Sequence, residues 1–301
     1  MQAVVDERVA RPILLGRPAV IQAKIEKLGL RIQVGEDVEI VDVEEGDVGE
    51  KYWRHYHRKV GRSGVSVEAA KTAVHTNATV MGALLVDLGE ADGLICGKVG
   101  RFDEHLKILT GILEPSRPGG LLSSVCVLLV ESGPLFLADP FVNVDPDVEQ
   151  VVQIAKDAIA FARGFDVEPK VALLSHSNFG TYEDPSALKM KEAAARLRAE
   201  LPDVQIDGEM HALSAFNAKL RATIYEENRI EGQANVLVMP NMDAASIALG
   251  LIRSLTDARL VGPFLFGLAK PAHILIPSVS GRGILNMTAL AVADIHHRRA
   301  R

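Results

Sequence analysis

Short apolar runs of strand length recur along the chain, with helix-period segments between them nearly throughout. RPILLG (11–16), VEIVDV (38–43), DGLICG (92–97), SSVCVLLV (123–130) and PLFLAD (134–139) read as strands. So do KVALLSHS (170–177), VQIDGE (204–209), NVLVMP (235–240), PFLFG (263–267) and HILIPS (273–278). Several carry no polar residue, the pattern of strands buried on both faces. Residues 66–88 are apolar enough for one interior helix. A second helix is predicted from Asp145 as N-cap, with Pro146 in the first turn, to Gly164. Asp184 and Pro185 repeat the device. The alternation predicts an α/β architecture with mainly parallel sheets. Right-handed crossovers then gather the loops at the strand C-termini on one side, where ligands usually bind. So many strands suit two sheets and a cleft better than one very wide sheet. The Pro/Gly-rich segment EPSRPGG (114–120) suits a hinge between two lobes.

Composition narrows the class. The 301 residues suit one large or two ordinary domains. With 48% hydrophobic but only 5% aromatic residues, aliphatic side chains are expected to fill the core. A net charge of −6 argues against broad nucleic-acid binding and leaves room for an anionic small ligand in a local basic pocket. Cys96 and Cys126 lie in apolar strand-like runs, as reduced core thiols of a cytoplasmic protein do. No apolar run is long enough to span a membrane, and the opening MQAVVDERVARP lacks the apolar stretch of a signal peptide.

Candidate chemistry sits in three loops. SHSNFGT (175–181) follows a strand and leads towards a helix. Its small and hydroxylated residues are expected to leave backbone amides free for an anion, although an ordinary polar loop reads the same way. CGKVGR (96–101) is the stronger candidate. Gly97 and Gly100 permit tight turns, and Lys98 and Arg101 place two cations at a helix N-terminus, unfavourable unless an anion sits there. The alternative is two solvated surface charges. SGRGILN (280–286) narrowly misses the dinucleotide fingerprint and has no βαβ unit after it, which disfavours a nicotinamide site. The histidines show no metal spacing. The basic tail DIHHRRAR reads as a frayed helix end. Asp139 reads better as the polar end of a strand, fixing the following loop, than as a catalytic acid.

Taken in order, ARPILLGRP, EADGLICGKVGRFDEHL, FLADPFVNVDPD, VALLSHSNFGT, IDGEMHALSAFN, GQANVLVMPNMDAASIA, GPFLFGLAKPAHIL and GILNMTALAVAD resemble the phosphotransacetylase family over nearly the whole chain. KYWRHYHRKVGRSGVS and the HIL-PS ending are most similar to the C-terminal phosphotransacetylase-like domain of bacterial NADP-dependent malic enzymes. The resemblance implies two doubly wound α/β lobes around a cleft, as in isocitrate-dehydrogenase-like folds. It places lobe I at 1–117 plus 266–301 and lobe II at 118–265. It implies acetyl-CoA or CoA as ligand, a homodimer or higher oligomer, and no nucleic acid, membrane or metal for this chain. NADP and a divalent metal would belong to the malic-enzyme catalytic domain, a partner outside this sequence. The positions implied for the ligand are Gly97, Lys98, Arg101, Lys107, Ser175, Ser177, Asn178, Lys270, Arg282 and Asn286.

The same resemblance raises a question about catalysis. Active enzymes follow GLAKP with a polar stretch whose Ser and Arg stabilise the tetrahedral intermediate, and a later Asp takes the thiol proton. Those positions here are Ile276, Pro277 and Gly283. Ala245, Ser246, Leu249, Gly250, His211 and Ser214 also depart from the pattern. One lost oxyanion donor costs about 2.7–4 kcal/mol, and a lost base costs on the order of 10²–10⁴ in rate. The leading expectation is therefore an acetyl-CoA-binding regulatory domain that inhibits an attached malic enzyme. The alternative is a working phosphate acetyltransferase, with His273 or His176 as base and Arg282 as stabiliser. A dehydrogenase within this chain is disfavoured by the missing fingerprint. The resemblance also implies a strand ahead of residue 1, so the chain reads as a fragment or a late start, with an open sheet edge in lobe I.

Overall fold

The structure is a computed structural model describing residues 1–42, 49–117 and 119–299. Val43 of the second expected strand, Pro118 of the expected hinge and Ala300–Arg301 of the tail lie outside them. The chain divides into two compact units: unit 1 holds Met1–Gly120 and Leu268–Arg301, and unit 2 holds Leu121–Gly267.

Unit 1 carries α1 (Gln2–Asp6), β1 (Ile13–Leu15), α2 (Pro18–Lys27), β2 (Glu39–Val41), α3 (Gly49–Val60), α4 (Val67–Thr76), α5 (Ala78–Asp87), β3 (Leu94–Cys96) and α6 (Phe102–Ile112). After the return from unit 2 it adds the strand Ala272–Ile274 and the helix Gly281–Arg299. β1 pairs in parallel with β2, and β3 in parallel with the strand 272–274. The interior helix α5 lies against both pairs, since every residue from Thr79 to Val86 is buried. Gly82 makes that approach possible: a Cβ there would stand 2.7 Å from Leu94 Cδ1 and 3.2 Å from Leu15 Cδ1.

The single helix expected over 66–88 is two helices. Asn77 breaks it with extended φ/ψ, and its side chain accepts from the Thr79 and Val80 amides to cap α5. Such a cap contributes about 1 kcal/mol. As far as Arg299 the tail is held helix rather than frayed. The last helix runs to Arg299, and Arg298 donates to Asp294 and to the carbonyls of Leu268 and Ala269, while Arg299 pairs with Asp92.

Unit 2 comprises β4 (Ser123–Val130), β5 (Gly133–Ala138), α7 (Val148–Arg163), β6 (Lys170–Leu174), α8 (Pro185–Glu200), β7 (Gln205–Met210), α9 (Ala212–Phe216), α10 (Ala218–Ile224), β8 (Val236–Val238), α11 (Met242–Leu255) and β9 (Arg259–Phe266). In chain order the strand 272–274 is then β10 and the helix 281–299 is α12. The sheet order is β7-β6-β8-β5-β4-β9. It is parallel except at β4, which runs antiparallel to both β5 and β9. In place of two sheets, the described residues form this six-stranded sheet and the two strand pairs of unit 1.

Side-chain alternation explains how the sheet of unit 2 is covered. On β5, Leu135 and Leu137 join the cluster that contains Ala245 and Leu249 of α11. Phe136 points the other way, onto Phe161 of α7 and Phe165, with ring centroids at 6.2 and 5.7 Å. Phe264 and Phe266 of β9 complete that aromatic group. Five phenylalanines gather beside α7, while aliphatic side chains fill most of the buried core, as expected from the composition. Each buried Leu or Phe contributes roughly 1.5–3 kcal/mol.

Helix starts follow the expected chemistry with one correction. α8 begins as read, with Asp184 accepting from the Ser186 and Ala187 amides and Pro185 in the first turn. α7 is capped by Asp147, not Asp145. Asp147 and Gln150 form a reciprocal capping box, and Asp145 instead pairs with Lys189 at 2.8 Å.

Candidate functional site

In unit 1 the loop after β3 and the turn after β10 are built against each other. Gly97 leaves β3 at φ +90°, and a Cβ there would lie 2.5 Å from Ile274 Cγ2 and 2.7 Å from the Leu275 oxygen. Only glycine fits that position. The Leu275 amide donates to the Cys96 oxygen at 2.7 Å. Lys98 Nζ then reaches across to the Pro277 and Val279 oxygens at 2.6 and 3.1 Å. Gly100 turns at φ +100°, where a Cβ would meet His105 Nε2 at 2.8 Å. His105 of α6 sits 2.8 Å from the Val99 oxygen and 2.9 Å from Thr79 Oγ1. Among the described residues, no protein acceptor takes the amides of Gly97, Lys98, Val99 or Gly100.

Arg101 does not wait for an outside anion. Its guanidinium bonds Asp103 at 2.7 and 3.0 Å, and Asp103 and Glu104 occupy the first turn of α6. Those acids complement the positive end of the helix.

The turn itself is apolar. Ile276 is buried, and Pro277 is exposed with its carbonyl held by Lys98. Gly283 is buried, and its amide donates to Ser280 Oγ at 3.1 Å. A Cβ at Gly283 would stand 2.7 Å from Val279 Cγ2. Arg282 is exposed, 3.7 Å from Glu7. Asn286 is half-buried on α12, and Lys107 and Lys270 are exposed.

His273 cannot serve as an accessible base. It is 1% exposed on β10, and burial, with Arg298 nearby, pushes its pKa down to about 3. Its carbonyl accepts from the Cys96 thiol, which burial raises to about 12. Cys96 and Cys126 are both free thiols.

In unit 2 the loop 175–181 is closed on the protein's own carboxylate. Glu209, 1% exposed at the end of β7, accepts from the Gly180 amide at 2.6 Å and from Ser177 Oγ at 2.8 Å, and its backbone oxygen accepts from the Phe179 amide. Most of the other amides are also taken: Ser175 donates to the Met210 oxygen, Ser177 to Ser175 Oγ, Asn178 to Thr181 Oγ1, and Tyr182 to Ser177 Oγ. The expectation of free amides therefore fails here, because Glu209 fills the place reserved for an anion. Ser177 and Asn178 are buried, and Asn178 Oδ1 accepts from the His211 amide. Ser175 is half-buried. His176 is exposed and paired with Asp184 at 2.7 Å, and His211 Nε2 lies 2.6 Å from the His176 oxygen.

Asp139 has the structural role read from the sequence. It sits at φ +49°, buried, and accepts from Ser124, Val142 and Asn143. Burial holds its carboxyl above the usual range. Sequence reasoning missed Glu209, Thr79, His105 and Asp103. The acids at 103–104 were legible as N-terminal helix residues in FDEHL. Glu209 carried no local signal, since its partners lie some thirty residues earlier. Among the described residues, no group of three or more His, Cys, Asp or Glu is placed to hold a metal, and no helix is long and apolar enough to cross a membrane.

Comparison with known proteins gives a consistent result. The family model described as Phosphate acetyl/butaryl transferase matches residues 1–292. An NAD-dependent malic enzyme of Rhizobium meliloti is 44% identical over 98% of this chain and 38% of its own length. An NADP-dependent malic enzyme of Salmonella typhimurium is 43% identical over 97% of this chain and 39% of its own. The chain thus spans under two-fifths of these relatives. Among solved structures, a phosphotransacetylase from Streptococcus pyogenes superposes with a TM-score of 0.87 at 26% identity, covering 98% of this chain and 89% of that one.

Proposed function

This chain belongs to the Phosphate acetyl/butaryl transferase family, and we propose that it serves as an acetyl-CoA-binding regulatory domain of a malic enzyme, with little or no acyl transfer of its own. The observation that carries this reading is the turn from Ile276 to Gly283. It offers a buried aliphatic side chain, a proline and a buried glycine where the family resemblance implies a hydroxyl, a guanidinium and an acid. The packing agrees, because Val279 Cγ2 occupies the space into which an acid at 283 would grow. Losing one charge-stabilising donor costs about 2.7–4 kcal/mol in the transition state. Losing the base costs on the order of 10²–10⁴ in rate. The losses need not add, but either reduces turnover far more than it reduces affinity.

Ligand binding rests on different groups. The unbonded amides of Gly97 to Gly100 suit a phosphate oxygen of CoA. Lys98, Lys107 and Lys270 are exposed cations in unit 1 that can attract it, while Arg101 and Arg282 would have to share themselves with Asp103 and Glu7. Ser177 and Asn178 are buried supports of the loop 175–181, whereas Ser175 and Asn286 are half-buried and remain open to direct contact with the ligand. The malic-enzyme relatives support a partner catalytic domain, which would hold the NADP and metal. Acetyl-CoA binding here would favour one arrangement of a homo-oligomer and inhibit that domain.

One observation favours a second reading, a working phosphate acetyltransferase. His176 and Asp184 form an exposed histidine–carboxylate pair at 2.7 Å, the geometry of an oriented base.

A calorimetric titration of acetyl-CoA into the chain, in buffer containing arsenate, separates the readings. Arsenate accepts the acetyl group and the product hydrolyses, so a live enzyme gives heat that continues after each injection. Discrete saturating peaks support the binding domain. Continuing heat overturns it in favour of the transferase, and flat traces overturn both for this chain.

A further inference from the structure

One peptide decides where an unbonded amide of the loop 97–100 points. A trans peptide is planar, so the Val99 oxygen and the Gly100 N–H point in opposite directions. Whatever holds that oxygen aims that amide. Side-chain packing does not hold it, because Val99 is 84% exposed. Backbone sterics do not hold it either. Turning the peptide over would carry Gly100 from φ +100° to about −80°, a region open to any residue. Among the described residues the Val99 oxygen has a single partner, His105 Nε2 at 2.8 Å. Gly100 lets the ring come so near, since a Cβ there would stand 2.8 Å from the same nitrogen.

The ring is itself directed. A carbonyl oxygen only accepts, so Nε2 carries the hydrogen and, in the neutral ring, Nδ1 is an acceptor. Thr79 Oγ1 stands 2.9 Å from Nδ1 and donates to it. Thr79 is 5% exposed and opens a buried apolar run from Val80 to Val86. A hydroxyl so buried needs a partner. The break at Asn77 directs it. Thr72 and Thr76 of α4 turn their hydroxyls back onto carbonyls four residues earlier. Thr79 stands in the first turn of the new helix, where Asn77 caps its amide, and its hydroxyl turns to His105 instead. The other tautomer would reverse the arrangement. With hydrogen on Nδ1, Nε2 accepts, and the turned-over peptide is favoured, its Gly100 amide donating to the ring.

We propose that His105 is a positioning residue for acetyl-CoA: its Nε2–H, set by Thr79, holds the Val99–Gly100 peptide so that the Gly100 amide points away from the ring and to a phosphate oxygen of the ligand. His105 acts through the loop and does not touch the ligand. A peptide already turned when the anion arrives leaves less reorganisation to oppose binding. This role rests on the binding reading proposed above and names the residue that prepares its site.

Two measurements on the 301-residue chain test it. The first needs no ligand. With ring-15N-labelled histidine under mildly alkaline conditions, the His105 signals are those absent from His105→Gln. The Nε2–H tautomer is expected, and the Nδ1–H tautomer overturns the proposal. The second is a calorimetric titration with acetyl-CoA. His105→Asn keeps a polar side chain towards Thr79 but is too short for the Val99 oxygen, and is expected to weaken binding about tenfold, equivalent to about 1.4 kcal/mol. His105→Gln carries a donor out to the place of Nε2 and is expected to restore most of the affinity. Thr79→Val keeps the bulk and removes only the hydroxyl, so it serves even where His105→Asn does not fold, with binding expected to weaken about threefold. Wild-type affinity in both His105→Asn and Thr79→Val overturns the positioning role while leaving the ligand. So does a His105→Gln variant that binds no better than His105→Asn. A wild type that binds no acetyl-CoA overturns the ligand and the role together.

Discussion

Two loops in this molecule occupy the same topological place and solve it in opposite ways. Each follows a parallel strand and precedes a helix, and each carries small residues and glycine. The loop 175–181 of unit 2 closes on a buried carboxylate, Glu209, which takes the Gly180 amide and the Ser177 hydroxyl, while its backbone oxygen takes the Phe179 amide. The loop 97–101 of unit 1 has no such acid. Its amides stay unbonded, and its lysine is spent on holding the turn at 277–279. Backbone shape alone therefore does not make an anion site. What decides it is whether the chain supplies an anion of its own.

The largest test of this contrast is Glu209→Ala. It takes the carboxylate away from the buried Ser177 hydroxyl and the exposed Gly180 residue's amide, and the loss costs about 1–3 kcal/mol. Urea unfolding should show the loss, and phosphate or sulfate should partly restore it by entering the vacated place. Restoration by neither ion would break the comparison. Next is Gly97→Ala, expected to destabilise unit 1 by about 2 kcal/mol because φ +90° and the Leu275 oxygen both oppose a Cβ. The matching Gly180→Ala, also at positive φ but with open space around it, should cost about 1 kcal/mol.

Acid sharpens the difference further. His273 stays neutral in the folded protein down to about 3, whereas in the unfolded chain it protonates near its ordinary value of about 6.5. Its contribution to stability is therefore complete above about 6.5 and is lost as pH falls towards 3, at about 1.4 kcal/mol per pH unit. Thermal melts between pH 7 and 4 should show this slope, and His273→Asn should flatten it. The smallest effect belongs to Lys98→Ala. It should lower stability by at most about 1 kcal/mol, since the side chain is exposed, yet weaken acetyl-CoA binding about tenfold.

Much of the fold was legible. Each of the apolar runs read as a strand overlaps one, although β9 begins four residues ahead of its run, because a short apolar run is what a sheet interior needs. The sequence also held signals that went unread. Asp147-Val-Glu-Gln150 is a capping box in plain letters, and Asn77 is a helix-starting residue inside an apolar stretch. The single antiparallel strand was not legible, since apolar content carries no direction. The site divided in the same way. Gly97, Gly100 and Lys98 could be named from spacing and charge. What Lys98 touches, and that Glu209 closes the other loop, depends on register between segments far apart in sequence.

The route of the chain through its two units has a consequence for synthesis. Unit 2 is one uninterrupted stretch, complete once residue 267 has emerged. β3 is made early, but the partner it pairs with, β10, lies at Ala272–Ile274. On the ribosome unit 2 can fold as a body while the loop after β3 still waits for the turn that Lys98 will hold. A released chain ending shortly after residue 267 would therefore carry all six strands of that sheet and lack β10, the partner of β3. The late-folding part carries the candidate site, so the order of synthesis sets the order in which the two units can be completed.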